Sequence, residues 1–326
     1  MNDKPIAVLI SDVHYNMQNL QLASQALSEA VRLSNKLNVG LIIAGDLHDT
    51  KAAHRAECID SMVEELKKAD QEPTIIIGNH DLINERDNTK HSLGFLSRYA
   101  HIVAEKPWGK NGFWLAPYQI DVKSFEAWLK SLPTGDTVIM HQGLKGTDAG
   151  EYFSDKTAID YESCSHLRVI SGHYHKRQSH GNFDYIGTPY TMTFAESNDP
   201  TKGIQILYES GKLQFVSLGL RKHVIVHIEL GKYELGIERE IMAQDKVWVK
   251  VCGPADKLFA LTKDDVRKIT RILTDFRLEK IPTLEQSDLK KESNKTPQEL
   301  LDILIEAFPG MSPNQKIRMK ELWRSL

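Results

Sequence analysis

Five short segments gather side chains that bind divalent cations: Asp12-Val-His14, Gly45-Asp46-Leu-His-Asp49, Gly78-Asn79-His80-Asp81, His141-Gln-Gly143 and Gly172-His173-Tyr-His175. In extended backbone, side chains two residues apart project to the same side, so Asp-x-His or His-x-His can grip one ion with both groups. A mixed set of oxygens and imidazoles suits borderline ions such as Mn2+, Fe2+ or Zn2+, whereas a Mg2+ site favours oxygens and water. A lone Asp-x-His or Gly-Asp is ordinarily a capping or surface feature; five such segments in order are not. Of the 13 histidines, His48, His54, His91, His101, His166, His180, His223 and His227 fall outside the set and read as solvated or core residues. Among these, His48 alone lies close enough to the motifs to matter.

Each motif follows an apolar run of strand length: Ile6 to Ile10, Leu41 to Ala44, Thr74 to Ile77, Thr137 to Met140 and Leu167 to Ile170. Continuous runs of this kind suit strands buried on both faces. Gln18 to Leu37 repeats apolar residues at helical spacing, and so does a segment carrying Ile59, Val63 and Leu66. The opening is therefore strand, helix, strand, helix, strand, which predicts a mainly parallel sheet covered by helices. In open α/β sheets, sites form at the carboxyl ends of strands, where all five motifs fall. From Val224 to Val251 the pattern turns β-like, and a helix is predicted across Asp264 to Phe276, giving a small separate α+β unit. Residues 284–295 are polar and read as a solvated linker. Thr296-Pro-Gln-Glu299 and Ser312-Pro-Asn-Gln315 are capping boxes with proline at the first helical position, so 296–326 reads as a helical hairpin.

With 326 residues, one large domain carrying smaller appendages is expected. No apolar run approaches the roughly 18 residues that cross a bilayer, and the opening residues lack a secretion signal, so a cytoplasmic protein without a membrane partner is expected. Cys58, Cys164 and Cys252 show no CxxC spacing, which argues against a disulfide framework and a structural zinc site. A net charge of −3 denies the chain the basic field of non-specific DNA binders, so a polyanionic substrate has to be held locally, for instance through bound cations. The absence of Gly-x-x-x-x-Gly-Lys-Ser/Thr excludes P-loop ATP hydrolysis.

The ordered series Asp-x-His, Gly-Asp, Gly-Asn-His-Asp, His and Gly-His-x-His, from residue 6 to about 190, resembles the signature of the calcineurin-type metallophosphoesterases. The resemblance implies an α/β fold, a four-layer α-β-β-α sandwich with a small α+β capping domain and a C-terminal helical hairpin. It implies two divalent ions, Mn2+ first and Mg2+ second. Asp12, His14 and His175 would hold one ion, Asn79, His141 and His173 the other, and Asp46 would bridge both. It also implies that His80 stabilises the transition state or protonates the leaving oxygen, that Asp49 orients the His80 imidazole, and that Asp81 supports the loop.

Finer features narrow the resemblance. Gly45-Asp46-Leu-His-Asp49-Thr50 resembles the Gly-Asp-x-Phe-Asp-Thr of bacterial SbcD nucleases, and Tyr185-Ile-Gly-Thr-Pro189, Phe194-Ala-Glu196 and Lys202-Gly203 are similar to further segments of that subfamily. Asn198-Asp199-Pro200 resembles phage-encoded members. The implied protein is a DNA nuclease, exonucleolytic 3′ to 5′ on duplexes and endonucleolytic on single strands, acting in DNA recombination, repair or replication. The implied partner, besides DNA, is an SbcC-like ABC-type ATPase with a coiled coil. Residues 1–220 would form the nuclease domain, 221–283 the capping domain and 296–326 the ATPase-docking hairpin. Leu93 to Tyr99, with Phe95, Leu96 and Tyr99, occupies the place where such nucleases form a homodimer, with packing inside the chain as the alternative. Tyr15, Asn16, Lys51, Arg55, Lys90 and His91 lie where they could touch a DNA backbone, but isolated polar residues in loops are usually just solvated, and they are not counted among the site residues. Two alternatives stay open: a phosphodiesterase for a small or cyclic nucleotide, and a catalytically silent scaffold. The scaffold reading sits poorly with the retention of all seven ligands and His80.

Overall fold

Alternation along the apolar runs determines how the first half of the chain layers. The computed structural model describes residues 3–49, 54–84, 87–149, 155–199, 201–230, 241, 245–270, 276–282, 305, 315–318 and 320. The chain divides into two units, Met1–Arg221 and Lys222–Leu326.

The first unit opens with β1 (Pro5–Ile10), α1 (Leu20–Leu37), β2 (Gly40–Ala44), α2 (Ala56–Leu66) and β3 (Thr74–Ile76), in the predicted order. A hairpin of β4 (Leu82–Asn84) and β5 (Asp87–His91) follows, then β6 (His101–Val103), β7 (Trp108–Lys110), β8 (Phe113–Ala116), α3 (Val122–Ser131), β9 (Thr137–Met140) and β10 (Arg168–Ser171). The unit closes with β11 (Ser179–His180), β12 (Phe183–Tyr185), β13 (Gly203–Tyr208) and β14 (Leu213–Ser217).

These strands form two six-stranded sheets, ordered β14-β13-β1-β2-β3-β6 and β11-β12-β10-β9-β8-β7. Each has a parallel centre, and β13, β14, β7 and β11 run antiparallel to their neighbours. Ala7 and Leu9 of β1 and Ile42 and Ala44 of β2 meet Leu115, Ile139 and Ile170 of the other sheet in one apolar layer. The intervening Val8, Ile10, Leu41 and Ile43 face the opposite way, against Ala23, Leu27 and Val31 of α1 and Met62 of α2. Val138, Met140 and Val169 likewise pack against Phe125 and Leu129 of α3. Period-two alternation thus supplies two apolar faces per sheet, and the fold is the mixed α/β sandwich that the sequence implies.

Asn38 ends α1 in the left-handed conformation (φ 54°), a stop that asparagine tolerates well. Asp121 caps α3 by accepting the Ser124 amide at 3.2 Å. Leu93 and Leu96 are buried in the unit's own core, with Phe95 and Tyr99 packed beside them.

In the second unit, β15 (His223–Glu229), β16 (Lys246–Gly253) and β17 (Phe276–Pro282) form a three-stranded parallel sheet, with α4 (Ala255–Ala260) and α5 (Lys263–Thr270) between the last two strands. Val224, Val226, Val247, Val249, Val251 and Phe276 share one core with Leu258 and Val266. The helix predicted across Asp264 to Phe276 is therefore shorter. Phe276 opens β17, where it pairs with Val247 and packs in the same core as Val266. The linker at 284–295 lies outside the described residues, and so does the hairpin at 296–326 apart from 305, 315–318 and 320.

Candidate metal centre

The five motifs do converge, by a backbone route different from the extended one expected. Asp12, His14 and Asp46 sit at φ 52°, 50° and 51°, and His173 at 83°. Left-handed conformations are costly for residues other than glycine and persist where surrounding structure enforces them. Here the loop after β1 runs beside the loop after β2: the amides of Asp12, His14 and Tyr15 donate to the carbonyls of Gly45, Asp46 and Leu47 at 3.0, 3.0 and 2.9 Å. Asp12 and His14 thus reach one site through left-handed turns at the strand ends. Gly45 (φ 93°) and Gly78 are glycines for a steric reason: a Cβ would strike His141 at the first and the Asp46 carboxylate and amide at the second.

Asp81 anchors the arrangement. It is fully buried, and its carboxylate accepts the amides of Asp46 and Gly78 at 2.9 Å each and of His48 at 3.1 Å. This is the loop-supporting role that the sequence suggests for it. Burial and the adjacent Asp46 charge push its pKa up to about 7, against the pull of those amides. Burial alone would raise Asp46 as well, but His141, His14 and His80 hold that carboxyl far below the ordinary range.

His14, His141, His173 and His175 line the site, each with an outer partner at one nitrogen. His14 Nδ1 meets Asp49 Oδ1 at 3.1 Å, and His141 Nδ1 donates to the Ala44 carbonyl at 2.7 Å. His173 Nε2 meets Asp155 Oδ2 at 3.1 Å, and His175 Nδ1 meets Glu196 Oε1 at 3.0 Å. Such outer partners fix ring orientation and tautomer and leave the second nitrogen with its lone pair available. The inner nitrogens face one another's neighbours: His141 Nε2 lies 3.2 Å from Asp46 Oδ2 and from Asn79 Oδ1, and His173 Nδ1 lies 2.9 Å from Asn79 Oδ1. Among the described residues, potential ligand atoms within 4.8 Å of one another form three overlapping groups: Asp12, His14 and His175; His14, Asp46 and His80; and Asp46, His141 and His173.

The donor set fits divalent cations. His14 Nε2 is buried without a hydrogen-bond partner, 3.8 Å from Asp46 Oδ2 and 4.0 Å from Asp12 Oδ1. These separations are too long for hydrogen bonds, yet they place a lone pair and two buried carboxylates around one point, as a shared cation requires.

His80 differs from the imidazoles around it. Its side chain is 39% exposed, against 4% for His14 and 0% for His141, so it borders the open side of the site. Its amide donates to Asp46 Oδ1 at 2.8 Å, and its ring lies edge-on to His14 with centroids 4.7 Å apart. The expected hydrogen bond from its ring to the Asp49 carboxylate is absent, since those atoms stand 3.8 Å apart. Nδ1 meets the Asp49 main-chain carbonyl at 3.1 Å instead, because the carboxylate is engaged by His14 and by Asn16 Nδ2.

Other expectations resolve differently. The His48 ring lies tilted against that of His54, with centroids 3.9 Å apart, and is not in the ligand groups above, and Tyr15 is fully buried and cannot meet a DNA backbone. Lys51 lies outside the described residues. The outer partners Asp155 and Glu196 have no counterpart among the sequence-derived ligands. Asp155 carries no motif and lies 18 positions from His173, whereas Glu196 belongs to a segment noted for resemblance alone. Burial opposes ionisation of both carboxyls, but hydrogen bonds from His173 and His175 respectively hold each down to about 2.

Residues 7–177 match the family described as calcineurin-like phosphoesterase. Exonuclease subunit 1 of Enterobacteria phage T4 is 25% identical over 311 residues, covering 89% of this chain and 87% of its own length. Among solved structures, a crystal structure of Pseudomonas putida nuclease MPE matches 66% of this chain and 100% of its own, with 15% identity and a TM-score of 0.33.

Proposed function

Because the chain belongs to the calcineurin-like phosphoesterase family, whose members hydrolyse phosphoesters with divalent metals, we propose that it is a two-metal DNA nuclease. The observation that carries the step from phosphoester to DNA is the likeness to a phage exonuclease subunit. At 89% of the chain it extends well past the family match at 7–177 and into the second unit.

Asp12, His14 and His175 would hold one ion, Asn79, His141 and His173 the other, with Asp46 shared. The preference is Mn2+ over Mg2+, since imidazoles outnumber what an oxygen-seeking ion accepts. When bound, such a pair supplies Lewis-acid activation of water and neutralises charge on the phosphoryl oxygens. The protein's own contribution begins with Asp81, which holds the loops bearing Asp46 and Asn79 in register. His80 then acts at the open side. With its Nδ1–H given to the Asp49 carbonyl, Nε2 carries the exchangeable proton, so the imidazolium form donates to the oxygen that departs from phosphorus. Asp49 serves twice, orienting His80 through its carbonyl and His14 through its carboxylate.

The same reading assigns 3′ to 5′ exonuclease activity on duplex DNA and endonuclease activity on single strands. It assigns the unit beginning at Lys222 to DNA presentation, 284–295 to a linker and 296–326 to docking on an SbcC-like ABC-type ATPase. A role in phage or bacterial DNA recombination, repair or replication in the cytoplasm follows. The experiment is cleavage of end-labelled duplex and single-stranded DNA in Mn2+ and in Mg2+, with and without such an ATPase, alongside a cyclic dinucleotide. DNA products shortening stepwise from the 3′ end support the proposal. Turnover of the cyclic dinucleotide with DNA left intact would overturn it.

A further inference from the structure

Lys202 is 6% exposed, and nothing in the chemistry above employs it. Burying an ammonium is costly unless its hydrogens are all engaged, and here they are. Nζ donates to the main-chain carbonyl of His175 at 2.9 Å and to Thr188 Oγ1 at 2.7 Å, and it pairs with Glu196 Oε2 at 3.1 Å and Asp199 Oδ2 at 3.2 Å. The other Glu196 oxygen meets His175 Nδ1 at 3.0 Å, and the Met192 amide donates to Oε2 at 3.0 Å. The contacts close a ring that leaves His175 at its carbonyl, passes through Lys202 and Glu196, and returns to the same residue at its imidazole.

His175 is the imidazole of the four that packing holds least. Its side chain is 36% exposed, against 4% for His14, 0% for His141 and 6% for His173. An exposed ring retains rotamer freedom that a buried one has lost, so its orientation depends on its polar partner. Glu196 can serve as that partner only while its own carboxylate is held. From the closed ring we infer that Glu196 and Lys202 are positioning residues for His175, fixing its rotamer and tautomer and thereby the strength of one of the two ion positions. The inference rests on the two-ion reading above. It also gives Phe194-Ala-Glu196 and Lys202-Gly203 a physical role in this chain.

The test is Mn2+ titration of the full chain, with free Mn2+ followed by its electron paramagnetic resonance signal, for wild type, Glu196→Gln and Lys202→Met. Loss of an outer partner of a ligating histidine typically weakens metal binding about 10- to 100-fold. In both variants one ion should weaken by that factor while the other binds as in wild type. Long-range 1H–15N spectra of metal-free Glu196→Gln should show His175 changing from the Nδ1–H tautomer to a mixture. Should Lys202→Met fail to fold by circular dichroism, Glu196→Gln carries the test alone. Two unchanged affinities, equal weakening of both ions, or an unaltered tautomer would each overturn the inference. A wild-type chain that takes up fewer than two ions would instead remove the two-ion reading, and this inference with it.

Discussion

Replacing Gly78 by alanine separates the geometry of the site from the stability of the fold. Gly78 does not occupy the positive-φ region, so alanine is compatible with its backbone. By restricting the unfolded chain, the substitution contributes about 0.4–1 kcal/mol of stability. The added methyl, however, lands on the Asp46 carboxylate and amide, and overpacking of this kind costs about 1–3 kcal/mol. The net loss is about 0–2.6 kcal/mol, small beside the roughly 5–15 kcal/mol that keeps a domain folded. The variant should therefore fold, with Asp46 displaced. Misplacement of a catalytic group on the order of 1 Å costs about 10²-fold in rate, so turnover should fall by about that factor and Mn2+ should bind more weakly. Gly40→Ala is the control: it also lies outside the positive-φ region, and its Cβ would meet nothing within 4 Å. Thermal unfolding, Mn2+ titration and DNA cleavage should show Gly40→Ala unchanged. A Gly78→Ala variant that binds Mn2+ and cleaves like wild type would refute the view that close approach at Gly78 seats Asp46.

Three further outcomes are expected. Asp81→Ala leaves three buried amides without their acceptor, at about 1–3 kcal/mol each, and should lower the unfolding midpoint well below that of Gly78→Ala; an unchanged midpoint would remove Asp81 as the anchor. His80→Ala should keep its metal content, measured by elemental analysis, while turnover falls about a hundredfold or more; normal turnover would take His80 out of the chemistry. Burial pushes the Cys164 thiol up to about 12 and raises Cys58 as well, while Cys252 is partly exposed. Native alkylation at pH 8 followed by peptide mass spectrometry should label Cys252 first, and rapid labelling of Cys164 would contradict its burial.

Much of the first unit's architecture was legible because it is written in local pattern. The runs at Ile6 to Ile10 and Thr137 to Met140 alternate toward two apolar layers, and both are strands. What escaped depends on partners remote in sequence. β13 joins β1 from about 200 residues away, and β11 and β12 are too short to announce themselves. Phe276, expected at the end of a helix, pairs instead with Val247 of β16. Within the site, residue types and spacing pointed to the cluster, but not to the manner of its assembly. Asp12 and His14 were expected to share a face by extended alternation, whereas positive φ angles bring them together. A side chain's outer partner is harder still to foresee. Asp155 carries no motif, and the ties of Asp155 to His173 and of Glu196 to His175 exist only once segments 18 and 21 residues apart have met.

The account depends on two ions lying among these residues, and crystals soaked in Mn2+ and measured at a wavelength where manganese scatters anomalously would test it most directly. The expected map has two peaks: one among Asp12, His14 and His175, the other among Asn79, His141 and His173, with Asp46 between them. Peaks elsewhere, or no peak at this cluster under saturating Mn2+, would contradict it.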